Sequence, residues 1–223
     1  MKQKDKIRRF SIYRISEHLI CMILTTLLLI TGFVQKFYTL DISMWLIKYF
    51  GGIDNVVLIH MYFGVSLICL FIIHILYNFV GILYFNMEVS MMITKEDFDN
   101  FIKDLKYFIR VTNKRAENDR YTYRQKFEYW GIFISILLLI FSGIILCFPI
   151  TLTNYLPGII IPIAKTVHYN QAIILFIIIV SHIYNAIFNP DAIPLDTSIF
   201  TGYLSKKRYI KEHFKEYKRK FED

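Results

Sequence analysis

Four long stretches without Asp, Glu, Lys or Arg alternate with charged segments along the 223-residue chain: His18 to Gln35, Asn55 to Met87, Tyr129 to Ala164 and Thr166 to Pro190. A hydrocarbon core of ~30 Å needs about 20 apolar residues in helical form, and backbone hydrogen bonding in lipid favours helices over open strands. The pattern therefore predicts an all-α membrane protein, a four-transmembrane-helix bundle forming one domain over residues 1–223. The helices are expected at about 15–34, 56–83, 128–148 and 167–188. The first run has no small-residue cleavage site and opens on Glu17-His18, so it reads as a span and not as a signal peptide. A hydrophobic content of 55% agrees with a polytopic chain.

The connections are equally patterned. Trp45 and Tyr49 suit a membrane interface, and Gly51-Gly52 marks the turn into the second helix. Residues 88–127 form a long loop in which Thr94-Lys95-Glu96-Asp97 reads as a helix N-cap with an acidic third position. Phe98, Phe101, Ile102, Leu105, Phe108 and Ile109 follow at helical spacing among charges. They predict a surface-lying amphipathic helix, which serves equally as a membrane-surface element or as a docking surface for a cytoplasmic partner. Asn189-Pro190 and Pro194 end the last helix before a charged tail over 190–223.

Of the 26 Lys and Arg, six lie in residues 1–14, nine between the second and third helices and eight after Ser205. Only Lys36, Lys48 and Lys165 fall in the other two connections. This is the positive-inside distribution of an inner-membrane protein with both termini cytoplasmic, so the net charge of +8 is topological and not a nucleic-acid surface. Cys21, Cys69 and Cys147 stand singly in predicted helices. No Cys-x-x-Cys-His and no cysteine cluster exists for a c-type haem or an iron–sulfur centre, which leaves them as packing residues.

Two histidine pairs, His60/His74 and His168/His182, each enclose thirteen residues within apolar runs. Fourteen positions make about four helical turns, so both histidines of a pair leave nearly the same face, ~21 Å apart along the axis. A single intramembrane histidine can be a packing or relay residue, but polar groups in lipid need partners, and haem iron supplies one per imidazole. Zinc would require its ligands to converge on one centre. The second and fourth helices both run from outside to inside, which pairs His60 with His168 near the outer surface. His182 lies near the inner surface with His74 or His18 opposite. This predicts two b-type haems, each six-coordinate and suited to electron transfer. Gly64, and with it Thr31-Gly32 and Ser142-Gly143, is expected to leave room for the porphyrin edge, the latter two equally as small residues at helix contacts. Arg14 and Arg124 are candidates to neutralise propionates, or are simply positive-inside residues. His213, in a Lys-rich tail, reads as solvated.

A weak internal repeat runs beneath this. Glu17-His18 is followed after twelve residues by Thr31-Gly32, and Glu128-Tyr129 after twelve by Ser142-Gly143. Tyr129 thus takes the place of His18 in the second half.

Arg14-Ile-Ser-Glu-His18 with Thr31-Gly32, His60-Met-Tyr-Phe-Gly64, Lys126-Phe-Glu-Tyr-Trp130, and His168 with His182 together resemble the cytochrome b subunits of membrane-bound formate dehydrogenases and nickel–iron hydrogenases. The second histidine of helix II, Tyr121-Thr-Tyr-Arg124 and Ile199-Phe-Thr-Gly202 resemble a thiosulfate-reductase-like branch associated with multihaem c-type cytochromes. The resemblance covers essentially the whole chain. It implies His18–His182 as the inner haem pair, whereas the quinol–cytochrome c reductase type of cytochrome b implies His74–His182; the sequence leaves both open. It also implies an electron-transfer subunit with two haem b, working between an outer-face redox partner and menaquinone or ubiquinone. That partner would be a c-type cytochrome, or a dehydrogenase or hydrogenase with an iron–sulfur subunit. Glu17, His18 and Tyr129 are the candidate quinone residues, and the chain carries no catalytic site of its own. The rival expectations are a histidine-relay transporter, which needs acidic partners absent from 55–87 and from the fourth helix, and a haem-free anchor for a peripheral enzyme.

Overall fold

The computed structural model describes residues 6–188, 193 and 195–222. In chain order they form β1 (Lys6–Arg8), α1 (Ile12–Lys36), α2 (Asp41–Tyr49), α3 (Ile53–Phe85), α4 (Lys95–Phe108), α5 (Tyr123–Cys147), α6 (Pro149–Thr153) and α7 (Ile160–Ile183). A π-helical turn follows at Tyr184–Phe188, then α8 (Ser198–Thr201), β2 (Tyr203–Ser205), α9 (Lys206–Glu212) and α10 (Phe214–Phe221). Four of these helices are long and apolar enough to cross a membrane: α1, α3, α5, and α7 continued to Phe188. Each predicted span is present and starts before its predicted first residue; the first two also end two residues late, the third ends one residue early and the fourth, continued to Phe188, ends as expected. The largest extension is at α7, which starts seven residues early because Pro162 falls in its first turn, where a missing N–H costs little. Asn189, Pro190 and Pro194 lie outside the described residues. The segment expected as a short outer connection is the helix α2, and Gly51 and Gly52 both take positive φ, +82° and +124°, to turn the chain into α3.

The chain divides into two compact bodies. The first comprises residues 16–81 and 132–181, the greater part of the four apolar helices. Its centre is Leu67, Ile136 and Leu175, surrounded by Leu24, Leu28, Phe71, Leu139 and Ile179. Thr25, Thr31, Ser135 and Ser142 are also buried there, while Ile23, Ile72, Phe141 and Ile177 are exposed. Small hydroxyl residues inside and large apolar ones outside are what helices need when lipid, not water, covers them. Gln171 Nε2 donates to Ser135 Oγ at 2.7 Å, closing one such interior polar contact.

The second body comprises the described residues of 1–15, 82–131 and 182–223. Here β1 pairs antiparallel with β2, Ile7 opposite Leu204. Gly202, at φ +80°, admits the Phe10 carbonyl 3.0 Å from where a Cβ would stand, so only glycine fits this crossing. The helix α4 begins as expected: the Thr94 N–H donates to Asp97 Oδ2 at 2.7 Å. Its polar side is the buried one. Asp97 accepts from Lys126 Nζ at 2.9 Å, and Asp104 accepts from the Tyr123 hydroxyl at 3.2 Å and the Ala116 N–H at 3.0 Å.

His213 corrects the expectation of a solvated tail residue: it is 1% exposed. Its Nδ1–H donates to the Asp119 carbonyl at 2.9 Å, and Nε2 accepts from the Arg9 guanidinium. Burial, with the Arg9 charge added to it, pushes the imidazole down to about 4, so it is neutral at physiological pH. Glu216 beside it is held below its usual range, because hydrogen bonds from Lys220 and Tyr209 and the Arg120 charge outweigh its desolvation. The Lys-rich stretch thus folds because its long-range partners, invisible to local charge patterning, lie in the N-terminal segment and in the loop at 118–120.

Candidate functional site

The first histidine of each pair lies in the membrane body. His60, on α3, and His168, on α7, have ring centroids 6.2 Å apart with their planes at 74°. A metal-bound imidazole nitrogen sits about 2 Å from the metal and about 1.1 Å from its own ring centroid, so two imidazoles on opposite sides of one ion have centroids roughly 6 Å apart. The observed spacing fits.

The protonation of both rings follows from their neighbours. Thr31 Oγ1 is 2.8 Å from the Leu27 carbonyl and 2.8 Å from His60 Nδ1. A hydroxyl has one proton, and the carbonyl can only accept it, so the His60 Nδ1–H must donate to Thr31. Ser142 Oγ repeats this in the other half, 2.7 Å from the Leu138 carbonyl and 2.9 Å from His168 Nδ1. In both rings Nε2 therefore carries a lone pair and no proton, the tautomer a metal requires. The adjoining glycines have a specific role: a Cβ on Gly32 would stand 3.3 Å from His60 Cε1, and one on Gly143 3.3 Å from His168 Cε1. Gly32 and Gly143 make room for imidazoles, where porphyrin edges were one expectation. A Cβ on Gly64 would meet nothing within 4 Å.

The second histidine of each pair is braced by a carboxylate. In the membrane body His74 Nδ1–H donates to Glu17 Oε1 at 2.7 Å. In the other body His182 Nδ1–H donates to Glu128 Oε2 at 2.9 Å. A carboxylate only accepts, so these rings adopt the same tautomer as the first two. An asparagine completes each group differently. Asn78 Nδ2 donates to the His74 carbonyl at 2.7 Å and to His74 Nε2 at 3.2 Å. Asn185, in the π-helical turn, donates instead to Glu128 Oε1 at 2.5 Å.

These contacts account for the repeat. Glu17 precedes Thr31 by the same fourteen positions that separate His60 from His74, and Glu128 precedes Ser142 by that number too. Neighbouring antiparallel helices carrying equal spacings meet level by level: hydroxyl with the first histidine, carboxylate with the second. The sequence points to Glu17 as a quinone residue, to Thr31 and Ser142 as porphyrin-edge or small packing positions and to Glu128 only as a member of the repeat; Asn78 carries no expectation. The matched spacing of fourteen was the available signal. The relay reading sought acidic partners on the histidines' own helices, whereas Glu17 and Glu128 come from α1 and α5.

Other candidates are placed as follows. His18 follows Glu17 on α1. Tyr129 stacks edge-to-face with Trp130, whose Nε1–H donates to the Met91 carbonyl at 3.0 Å. Arg124 lies 3.8 Å from Asp104 and its Nε donates to the Tyr123 hydroxyl at 3.0 Å, and Arg14 reaches Met87 Sδ at 3.9 Å.

A sequence model of the family described as prokaryotic cytochrome b561 matches residues 18–194. The formate dehydrogenase cytochrome b556(fdo) subunits of Escherichia coli strains K12, O6:H1 and O157:H7 are each 24% identical over 216 residues, covering 96% of this chain and 92% of theirs. Four apolar helices, paired metal-ready imidazoles and a family match spanning most of the length lead to one conclusion: the chain belongs to the prokaryotic cytochrome b561 family, haem b proteins of membrane electron transport.

Proposed function

We propose that this chain is a di-haem b-type cytochrome subunit that carries electrons across the inner membrane between an outer-face redox partner and the quinone pool. The observation that carries the proposal is the His60–His168 pair, with a ring separation of 6.2 Å and both Nδ1 protons committed to hydroxyls. His60 and His168 would hold a haem b through Nε2, and it would supply a one-electron couple suited to electron transfer. Thr31 and Ser142 hold the tautomer, and Gly32 and Gly143 let the rings approach their helices. The surrounding apolar helices exclude water.

For the second haem, chain order and the resemblance to the formate dehydrogenase subunits nominate His182 with His18 or His74. The Asn78 amide at His74 Nε2 favours His18, because it occupies the lone pair that a metal would use. His182 takes the Glu128 brace, a carboxylate–histidine arrangement that fixes the ring's tautomer and orientation. In this reading Glu17 and His74, and separately Tyr129, are the quinone candidates, and both termini lie in the cytoplasm, in keeping with the positive-inside charge. The partner is a dehydrogenase or hydrogenase with an iron–sulfur subunit, or a c-type cytochrome; the first is favoured by the names of the E. coli relatives.

The test is haem stoichiometry on purified protein, with a reduced-minus-oxidised spectrum. Two b haems per chain are expected, and none would end the proposal. His74→Ala should keep both haems low-spin, whereas His18→Ala should lose one; the reverse result transfers the ligand role to His74. A second reading, a proton relay without haem, gains support from the pairing of Glu17 with His74 and of Glu128 with His182. It predicts haem-free protein, so the same measurement separates the two.

A further inference from the structure

The helix α4 faces the opposite way from a helix on a water-soluble body. Asp97, Asn100 and Asp104, its polar stripe, are buried. Phe98, Phe101, Ile102, Leu105, Phe108 and the following Ile109 are between 44 and 62% exposed. At ~100° per residue these six cover one continuous arc. Lys95, Lys103, Lys106 and Arg110, all exposed, fall along the flank of that arc away from the buried stripe, with Asp99 among them. The helix thus has three bands in order: polar inward, apolar outward, cationic at the rim.

Soluble surfaces rarely leave so large a contiguous apolar patch bare. Three observations decide what covers it. The apolar band runs on into a membrane helix: the rings of Phe98 and Phe127 meet edge-to-face at 5.6 Å, and those of Phe101 and Tyr123 at 5.9 Å. Phe127 begins an exposed stripe of α5 that continues at heptad spacing through Ile134 and Phe141, residues of the span itself. Next, nine residues separate α3 from α4, and Asp97 and Asp104 are bound to Lys126 and Tyr123 at the start of α5, so α4 is held beside the ends of two spans. Last, the cationic rim matches anionic headgroups, with lysine stems lying along the apolar band and ammonium groups reaching outward.

We propose that α4 is an interfacial helix, seated in the headgroup–acyl boundary of an anionic leaflet. The ion pair of Asp97 with Lys126 and the hydrogen bond of Asp104 with Tyr123 bind its back to the second body. The helix would then set the depth of that body by its own immersion. The proposal rests on the membrane reading alone and is independent of haem content.

The test uses the full-length chain with Cys21, Cys69 and Cys147 replaced by Ala, and single cysteines introduced as Phe101→Cys, Leu105→Cys and, as reference, Glu117→Cys. Each is spin-labelled in nanodiscs of phosphatidylcholine and phosphatidylglycerol, and collision with oxygen is compared with collision with a water-soluble nickel chelate. Labels at 101 and 105 should favour oxygen and read a depth of ~5–10 Å below the phosphates, while the label at 117 favours nickel. Raising the phosphatidylglycerol fraction should deepen the first two. Nickel access at 101 and 105 equal to that at 117 would overturn the proposal. So would loss of both collision partners at 101 and 105, since that indicates a protein surface covering the band.

Discussion

The two histidine levels are built on one plan and finished differently. At the level of His60 and His168 the two halves of the repeat are near copies: hydroxyl on Nδ1, glycine against Cε1, almost identical distances. The second histidines, His74 and His182, each keep a carboxylate on Nδ1, but Asn78 turns to the imidazole and Asn185 to the glutamate. His213 supplies a third case, a buried histidine whose two nitrogens are both engaged by protein groups. A buried imidazole is suited to a metal when one nitrogen is braced and the other is left to it. By that criterion His74, whose Nε2 meets the Asn78 amide, stands closer to His213 than to His60 or His168.

The severest way to break the comparison is His60→Ala or His168→Ala. Either should remove one of two haems and abolish electron transfer across the membrane, with the remaining haem still titrating. Retention of both haems would dissolve the pair. Next in size is acidification of the second body. The folded value of His213, about 4, lies below the ordinary 6.5, so its contribution is complete above pH 6.5 and is lost as pH falls toward 4. The loss is worth roughly 3 kcal/mol. The protection factors of residues 203–222, taken relative to the intrinsic exchange rate at each pH, should therefore fall between pH 6.5 and 4, and His213→Gln should flatten that dependence with haem content unchanged.

Smaller effects probe the carboxylates. Glu128→Gln should weaken haem retention about 10–100-fold, as loss of a ligand's hydrogen-bond partner does at metal sites. Glu17→Gln should leave haem content intact; equal losses in the two variants would restore His74 as a ligand. Ser142→Ala should cost about 1 kcal/mol, read as a several-fold rise in haem loss under mild denaturant. Ser142→Thr should recover it, because threonine already does the same work at position 31.

Much of this was legible in the sequence. The spans follow from charge-free length, the Gly51-Gly52 turn from composition, and the cap of α4 from Thr94 and Asp97. The His60–His168 pairing follows from helix direction and rise. What stayed hidden were partners far apart in the chain. Thr31 reaches His60 across 29 positions, Glu17 reaches His74 across 57, and Arg9 reaches His213 across 204. Local periodicity says which face a residue takes but not which neighbouring helix lies against it. The direction of α4 was hidden for a related reason. An amphipathic pattern gives two faces without saying which is inward, and the contacts of Asp97 with Lys126 and of Asp104 with Tyr123 fix that.

The pairing of β1 with β2 has a topological consequence. Residues 6–8 and 203–205 are hydrogen-bonded strands of one sheet, so the segment just before the first span and the segment after the last share one aqueous compartment. Lys215 of the tail also meets Glu96 of α4, which brings the loop between the second and third spans into that compartment as well. The number of crossings from the first strand to the loop must then be even, and so must the number from the loop to the tail. The four candidate spans, two before the loop and two after it, satisfy both conditions, and this parity is a check independent of the distribution of charge.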